Sequence, residues 1–275
     1  MNALVQTYGP WAIVTGASQG IGEGFVRELA KRGMNIILTS RRPPRLEALA
    51  NALSAEYKIE TRVVKADLSV AGAGAQLMRS VEDLDVGLVI SNAGGARMGG
   101  FLQNSLTDLR ADLFLNVNSH LEIARSFAYT ARSRDRRAGL LLVSSTAALQ
   151  PMALGAGYSA AKAFVLNLGE SLHRELAEVG VDVTVLLPGP TNTDGLNHRD
   201  DIAMGDLPMS AMSVERLVDE GLSALEARRA SHIAGFMNRW IARLLPRRML
   251  GWMFSTMLRR NAEPRLLPSA PLAAE

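Results

Sequence analysis

The 275-residue chain contains no cysteine. Disulfides, thiolate metal sites and a cysteine nucleophile are therefore excluded. Histidine is sparse: His120, His173, His198 and His232 stand far apart without metal-ligand spacing, so no metal site is expected. No apolar run reaches the roughly 18 residues of a membrane-spanning helix. No basic-then-apolar leader opens the sequence, which predicts a cytoplasmic protein, soluble or peripherally membrane-associated. Lysine is nearly missing, with four Lys against 26 Arg. Acid is missing from one stretch: residues 227–260 hold eight Arg and no Asp or Glu, whereas residues 1–226 hold 21 Lys and Arg against 25 Asp and Glu. The net charge of +3 thus belongs to a C-terminal segment. The body is slightly acidic and needs no polyanionic partner, and no readout motif accompanies the arginines, so nucleic acid is not expected to bind.

What is present is alternation. Apolar, β-branched runs at Trp11–Thr15, Asn35–Ser40, residues 59–66, Val86–Ser91, residues 139–145, Val181–Leu187 and residues 231–234 read as strands. Helical periodicity occupies residues 20–32, 43–56, 107–132, 158–179 and 212–228. Continuous apolar strands alternating with helices predict a parallel sheet covered on both faces. Right-handed crossovers make this an α/β, doubly wound, Rossmann-like domain over residues 1–235. No Pro/Ser-rich linker divides residues 1–226. Residues 236–260 read as two basic amphipathic helices broken at Pro246. Residues 261–275, with three Pro, are expected to be a flexible tail.

The first strand runs into Thr15-Gly16-Ala17-Ser18-Gln19-Gly20-Ile21-Gly22, and a helix follows. Glycines at such a turn let backbone approach a pyrophosphate, whose charge the helix N-terminus favours. A tight turn with no ligand is the alternative. Dinucleotide sites usually place an acid about 20 residues further on, against the adenosine ribose. Here the second strand ends in Ser40, followed by Arg41 and Arg42. A small polar residue beside Arg suits a 2′-phosphate, which favours NADP(H) over NAD(H). Solvated charges at a strand end are the competing reading. Asp67-Leu68, after the third strand, could meet the adenine amino group, though Asp67 could equally cap a helix.

Tyr158 and Lys162 are four residues apart, on one face of a helix. An ammonium near a phenol favours the phenolate, so such a Tyr can serve as general acid or base near neutral pH. Ser144-Ser145 close the fifth strand and Asn92-Ala93-Gly94 follow the fourth. Both lie at the carboxyl edge of the sheet, where doubly wound folds bind ligands.

In these pieces the sequence resembles the short-chain dehydrogenase/reductase family over roughly residues 10–235. The matching motifs are residues 15–22, Asn92-Ala93-Gly94, Ser145, Tyr158-x-x-x-Lys162 and Pro188-Gly189. Their order is more specific than any one of them. The resemblance implies that Tyr158 exchanges the proton of the substrate oxygen and that Ser145 orients that oxygen. It implies that Lys162 holds the nicotinamide ribose and lowers the Tyr158 pKa. An Asn in the long helix before strand five would hold a water linking Lys162 to solvent. Asn116 is preferred over Asn118, since Val117, Leu121 and Ile123 then fall where the family's helix is apolar. The turn Pro188-Gly189-Pro190-Thr191-Asn192-Thr193 would meet the nicotinamide carboxamide through backbone and either Thr191 or Thr193, although a Thr here also suits an ordinary turn. Two departures stand out. Gln19 occupies a place where many NADP(H)-using relatives carry a basic residue, and Ser91 stands where a second Asn is frequent.

The expected activity is hydride transfer between NADP(H) and a ketone or secondary alcohol. Epimerisation or dehydration with bound cofactor, or a membrane-associated NADP(H)-sensing protein, are the alternatives. Residues 194–211 correspond to the stretch that folds over substrate in the family. Met98, Met152, Met204, Met209 and Met212 near the expected mouth suit a bulky apolar substrate, steroid-like or acyl-chain, or else fill core. Residues 236–260 carry two of the three Trp and four of the 12 Met. They could pack on their own domain, on a partner subunit, or against a membrane interface. The resemblance also implies a homodimer or homotetramer through the helices holding Asn116 and Tyr158.

Overall fold

The short apolar runs pair into one sheet whose strands bury side chains to both sides. This computed structural model describes residues 3–41, 43–193 and 211–262. The strands are β1 (Trp11–Thr15), β2 (Asn35–Ser40), β3 (Thr61–Lys65), β4 (Val86–Ser91), β5 (Ala138–Val143), β6 (Val181–Leu187) and β7 (Ser231–Ile233). They are all parallel, in the order β3-β2-β1-β4-β5-β6-β7. The chain winds outward from β1 to β3, then returns to place β4 on the other side of β1. The switch between β1 and β4 opens a crevice at their carboxyl ends, the usual ligand position in such sheets.

Ten helices flank the sheet among the described residues: α1 (Ala3–Tyr8), α2 (Gly20–Lys31), α3 (Pro43–Tyr57), α4 (Ala73–Arg79), α5 (Leu106–Leu113), α6 (Ser119–Ala131), α7 (Ala156–Ala177), α8 (Val214–Glu226), α9 (Phe236–Leu244) and α10 (Arg247–Asn261). Alternate strand residues point to opposite faces. Ala12, Val14, Ile36 and Leu38 join Phe25, Leu29, Leu46 and Leu222 under α2, α3 and α8. Ile13, Ile37, Val89 and Leu140 join Leu77, Ile123, Phe127 and Val165 under α4, α6 and α7. The two cores lie on the two sides of the sheet, as continuous apolar strands require.

Some boundaries differ from the sequence reading. The third strand covers 61–65 rather than 59–66. It is an edge strand, paired only to β2, and Asn35 Oδ1 takes the Glu60 N–H just before it. The fifth covers 138–143 rather than 139–145. Ser144 N still donates to Leu186 O, but Ser145 turns away, and its Oγ caps the short 3₁₀ turn at Thr146–Leu149. The helical stretch 107–132 is not one regular helix: a π turn at Phe114–Asn118 separates α5 from α6. α1 and α4 have six and seven residues, too short for a readable apolar period. α1 is held by tertiary contacts: Leu4 and Tyr8 are fully buried, and the Tyr8 hydroxyl donates to Asp182 at 3.2 Å. Pro246 separates α9 from α10, because a proline nitrogen cannot continue the hydrogen-bond ladder. No helix among the described residues is long and apolar enough to cross a membrane.

Candidate active site

The glycine turn after β1 depends on two conformations that other residues rarely adopt: Gly16 and Gly20 have φ of +67° and +57°. The third glycine serves packing. A Cβ on Gly22 would lie 2.1 Å from the Gly16 carbonyl oxygen. Gly22→Ala is expected to destabilise the protein by about 1–3 kcal/mol or more, because backbone there cannot yield. A melting temperature unchanged from wild type would refute this. α2 begins at Gly20, and its extended N-cap residue Gln19 makes no side-chain cap, which leaves the amide N–H groups of the first turn to a ligand.

The ends of β1 and β4 are laced together. Thr15 Oγ1 accepts the N–H groups of Asn92 and Ala93, both at 2.8 Å, and Asn92 Nδ2 donates to Thr15 O at 2.9 Å. A cavity of about 500 Å³ opens over this seam. The expected residues Gly16, Ser18, Gln19, Gly20, Ile21, Ser40, Arg41, Leu68, Asn92, Ala93, Gly94, Ser145, Tyr158, Lys162, Pro188, Gly189, Thr191 and Thr193 all line it. Of the other expected residues, Gly22 and Asp67 do not, and Asn116 lines an adjoining cavity. Gly22 sits behind the turn. Arg42 lies outside the described residues, as do Met204 and Met209 and the tail from 263 onward. Asp67 is turned to its own loop, where its carboxylate accepts the Ser69 hydroxyl at 2.6 Å and the Ser69 N–H at 3.1 Å. Those bonds, with the Arg41 charge adding, hold its pKa below the usual carboxylate value. It caps neither a helix nor the cavity.

At the other end of the cavity α7 carries Tyr158 and Lys162. The Lys162 Nζ lies 5.9 Å from the Tyr158 ring centroid and donates to Val143 O at 3.0 Å. Lys162 is only 3% exposed, and burial pulls its pKa down to about 8. Ser145 stands on extended backbone with its Oγ accepting Ala147 N at 3.1 Å, while its own proton is left to donate. Behind Lys162 the buried Ser91 Oγ meets His120 Nδ1 at 2.7 Å. Burial and the nearby Lys162 charge push the His120 pKa far down, so this imidazole is neutral.

Asn116 reaches the same region by a different route. It is buried within the π turn, where Oδ1 accepts Gly95 N at 3.1 Å and Nδ2 donates to Gly95 O and Asp112 O, each at 3.0 Å. It does not line the cavity with Ser145 but an adjoining one, which Tyr158 also lines. Its Oδ1 is nonetheless close to Lys162: a Cβ on Gly94 would stand 3.0 Å from Asn116 Oδ1 and 3.1 Å from Lys162 Nζ. The missing side chain at 94 leaves a gap between an acceptor and an ammonium. Asn118 is half-buried and lines neither cavity.

The turn after β6 is held in place. Thr191 Oγ1 donates to Gly189 O at 3.0 Å, and Pro188 O accepts Thr146 N at 2.8 Å. Several lining residues escaped the sequence reading. Thr39 is brought in by the end of β2, Leu115 by the π turn and Gln150 by the end of the 3₁₀ turn at Thr146–Leu149, and Phe254, Met257 and Leu258 come from α10. Only the apolar face of 236–260 hinted at the last three. Met98 and Met152 do line the cavity, and with Leu154, Tyr158 and Leu258 they form one cluster.

Residues 10–202 match the family described as short chain dehydrogenase. The 7beta-hydroxysteroid dehydrogenase of Collinsella aerofaciens is 31% identical over 238 residues, covering 86% of this chain and 90% of the relative. A short-chain dehydrogenase from Sphingobium yanoikuyae solved with NADPH superposes with a TM-score of 0.77 at 31% identity, covering 85% of this chain and 91% of the other. The bulky-bulky ketone specific alcohol dehydrogenase from Comamonas testosteroni gives 0.74 at 27% identity, covering 94% and 99%. With a glycine turn, a Tyr–Lys pair and a serine around one crevice of a seven-stranded parallel sheet, the chain belongs to the short-chain dehydrogenase family of NAD(P)-dependent oxidoreductases.

Proposed function

We propose that the protein is an NADP(H)-dependent reductase of bulky, apolar ketones, or in reverse a dehydrogenase of the corresponding secondary alcohols. The observation that carries the substrate class is the cavity wall: Met98, Met152, Phe254, Met257 and Leu258 surround the end that holds Ser145 and Tyr158. Flexible methionines adapt to a large apolar outline. Relatives whose names specify a hydroxysteroid or a bulky ketone support the same class.

The residues present fit a dinucleotide. Gly16, Gly20 and the open first turn of α2 suit its pyrophosphate. Ser40 and Arg41 line the cavity at the end of β2, where no acid stands to repel a 2′-phosphate. Arg41→Ala is expected to raise KM for NADPH about tenfold or more, the loss of one charge-assisted hydrogen bond, and to leave KM for NADH nearly unchanged. Equal effects on both cofactors would refute this role.

When bound, the dinucleotide supplies or accepts the hydride. In reduction, Tyr158 donates its hydroxyl proton to the carbonyl oxygen as that oxygen gains negative charge, so the carbonyl gains one hydride and one proton. Ser145 donates a hydrogen bond to the same oxygen and fixes its position. Lys162, charged in its buried seat, favours the phenolate that Tyr158 leaves behind. Asn116 and the gap beside Gly94 would hold a water that returns a proton toward Lys162. The exposed Leu113, Leu121 and Phe164 on α5, α6 and α7 support assembly into a dimer or tetramer.

A panel of ketones of increasing bulk, followed by NADPH absorbance, tests the reading. Turnover that rises with apolar bulk is expected. No net NADPH consumption with any ketone would overturn it in favour of epimerisation or dehydration.

A further inference from the structure

The basic C-terminal segment has a packed side and an exposed side. The inner side of α10 is part of the enzyme: Leu250 and Leu258 are buried, Ser255 Oγ accepts Ala153 N at 3.0 Å, and Phe254 lines the cavity. The inner side of α9 is likewise anchored. Arg239 donates to Glu220 and to Ile233 O, both at 3.0 Å, and Asn238 donates to Ala234 O at 2.7 Å. What these anchors leave outside is apolar and aromatic. Phe236, Trp240 and Leu244 follow helical spacing along α9 and are 59%, 47% and 65% exposed, while Trp252 on α10 is 69% exposed. Phe236 and Trp240 stack edge to face with centroids 5.8 Å apart, so the patch is built before anything covers it.

Charge accompanies it. Arg243, Arg247, Arg248, Arg259 and Arg260 are all exposed, and none makes an ion pair among the described residues. Residues 227–260 contain no acid to neutralise them. A second copy of the chain would bring the same uncompensated arginines to the contact, and like charges oppose such pairing. An anionic surface that also accepts aromatic and aliphatic side chains satisfies both features.

We propose that α9 and α10 dock the protein on the surface of an anionic bilayer, with Phe236, Trp240, Leu244 and Trp252 entering the interface and Arg243, Arg247 and Arg248 meeting lipid phosphates. The docking is peripheral. It places the helix that walls the cavity beside the lipid, where an apolar ketone would be dissolved; that consequence rests on the reductase reading, whereas the docking does not.

The test is co-sedimentation of the full chain with phosphatidylcholine vesicles, with and without phosphatidylglycerol, in the absence of substrate. Binding to the anionic vesicles is expected, with a blue shift of tryptophan emission; Trp11 is buried, so the shift reports Trp240 and Trp252. Each of Arg243→Gln, Arg247→Gln and Arg248→Gln should lower partitioning about fivefold, and high salt should abolish it. The Trp240→Ala, Trp252→Ala double variant should lose binding while NADPH binding is kept, which shows that it folds. No sedimentation with anionic vesicles at low salt overturns the proposal. So does equal binding to neutral vesicles, or a double variant whose loss is of oligomerisation alone, which would assign the face to a second copy.

Discussion

Tyr158→Phe is expected to bind NADPH as wild type does and to lose turnover by about 10²–10⁴-fold, the range for removing a positioned proton donor. The ring packs against the cluster of Met152, Leu154 and Leu258, and phenylalanine keeps those contacts. Only the oxygen goes, and with it the proton that must reach the carbonyl oxygen. Ser145 keeps its hydrogen bond to Ala147 N and still orients the substrate, so KM should change little. The measurement is kcat by NADPH absorbance beside Kd by fluorescence. A variant within a few-fold of wild-type kcat would sink the assignment of Tyr158 as acid and base.

Lys162→Met should cost comparable activity and in one respect stabilise the protein. Burial lowers the Lys162 pKa from 10.5 to about 8, so holding the ammonium inside costs on the order of 3 kcal/mol. Below pH 8 the lysine is charged in both folded and unfolded chains, and the folded state bears the whole penalty. Between about pH 8 and 10.5 the unfolded chain binds more protons than the folded one. Wild-type stability should therefore gain from this group as pH rises through that window, and above it the penalty is gone. Methionine carries no such penalty, although Val143 O loses its donor, at a cost of about 1–3 kcal/mol. The diagnostic result is the slope. Urea unfolding at pH 7 and pH 10 should show the wild type gaining on the variant. Parallel behaviour of the two proteins would show that the ammonium is not desolvated. Such an arrangement trades stability for a charge held beside the Tyr158 ring.

Much of the site was legible because its signals are local. The glycine spacing, the Tyr–Lys pair one helical turn apart and the Pro-Gly turn each state their chemistry within a few residues. Arg41 could be placed at the cavity because a strand end is recognisable by itself. Asp67 shows where such reading stops. A loop acid two residues past a strand has several partners within reach, and here one of its carboxylate oxygens accepts both the N–H and the hydroxyl of its neighbour Ser69. Asn116 is another case. Its position was inferred from the apolar residues that follow it, but the π turn that buries it and aims its amide at Gly95 has no signature in the periodicity.

The sequence by itself determined the order of the seven strands along the chain and the longer helices between them, the carboxyl edge of the sheet as the place of the glycine turn and the Tyr–Lys pair, and the acidic body with its basic appendage. These follow from backbone periodicity, turn chemistry and composition, which are properties of short segments. Only the tertiary structure decided where the appendage packs. The hydrogen bond from Ala153 to Ser255 joins residues 102 apart, and the one from Tyr8 to Asp182 spans 174. Such contacts depend on how seven strands stack, not on what any segment prefers. Through them one face of α10 became a wall of the cavity, and Phe236, Trp240 and Trp252 were left exposed.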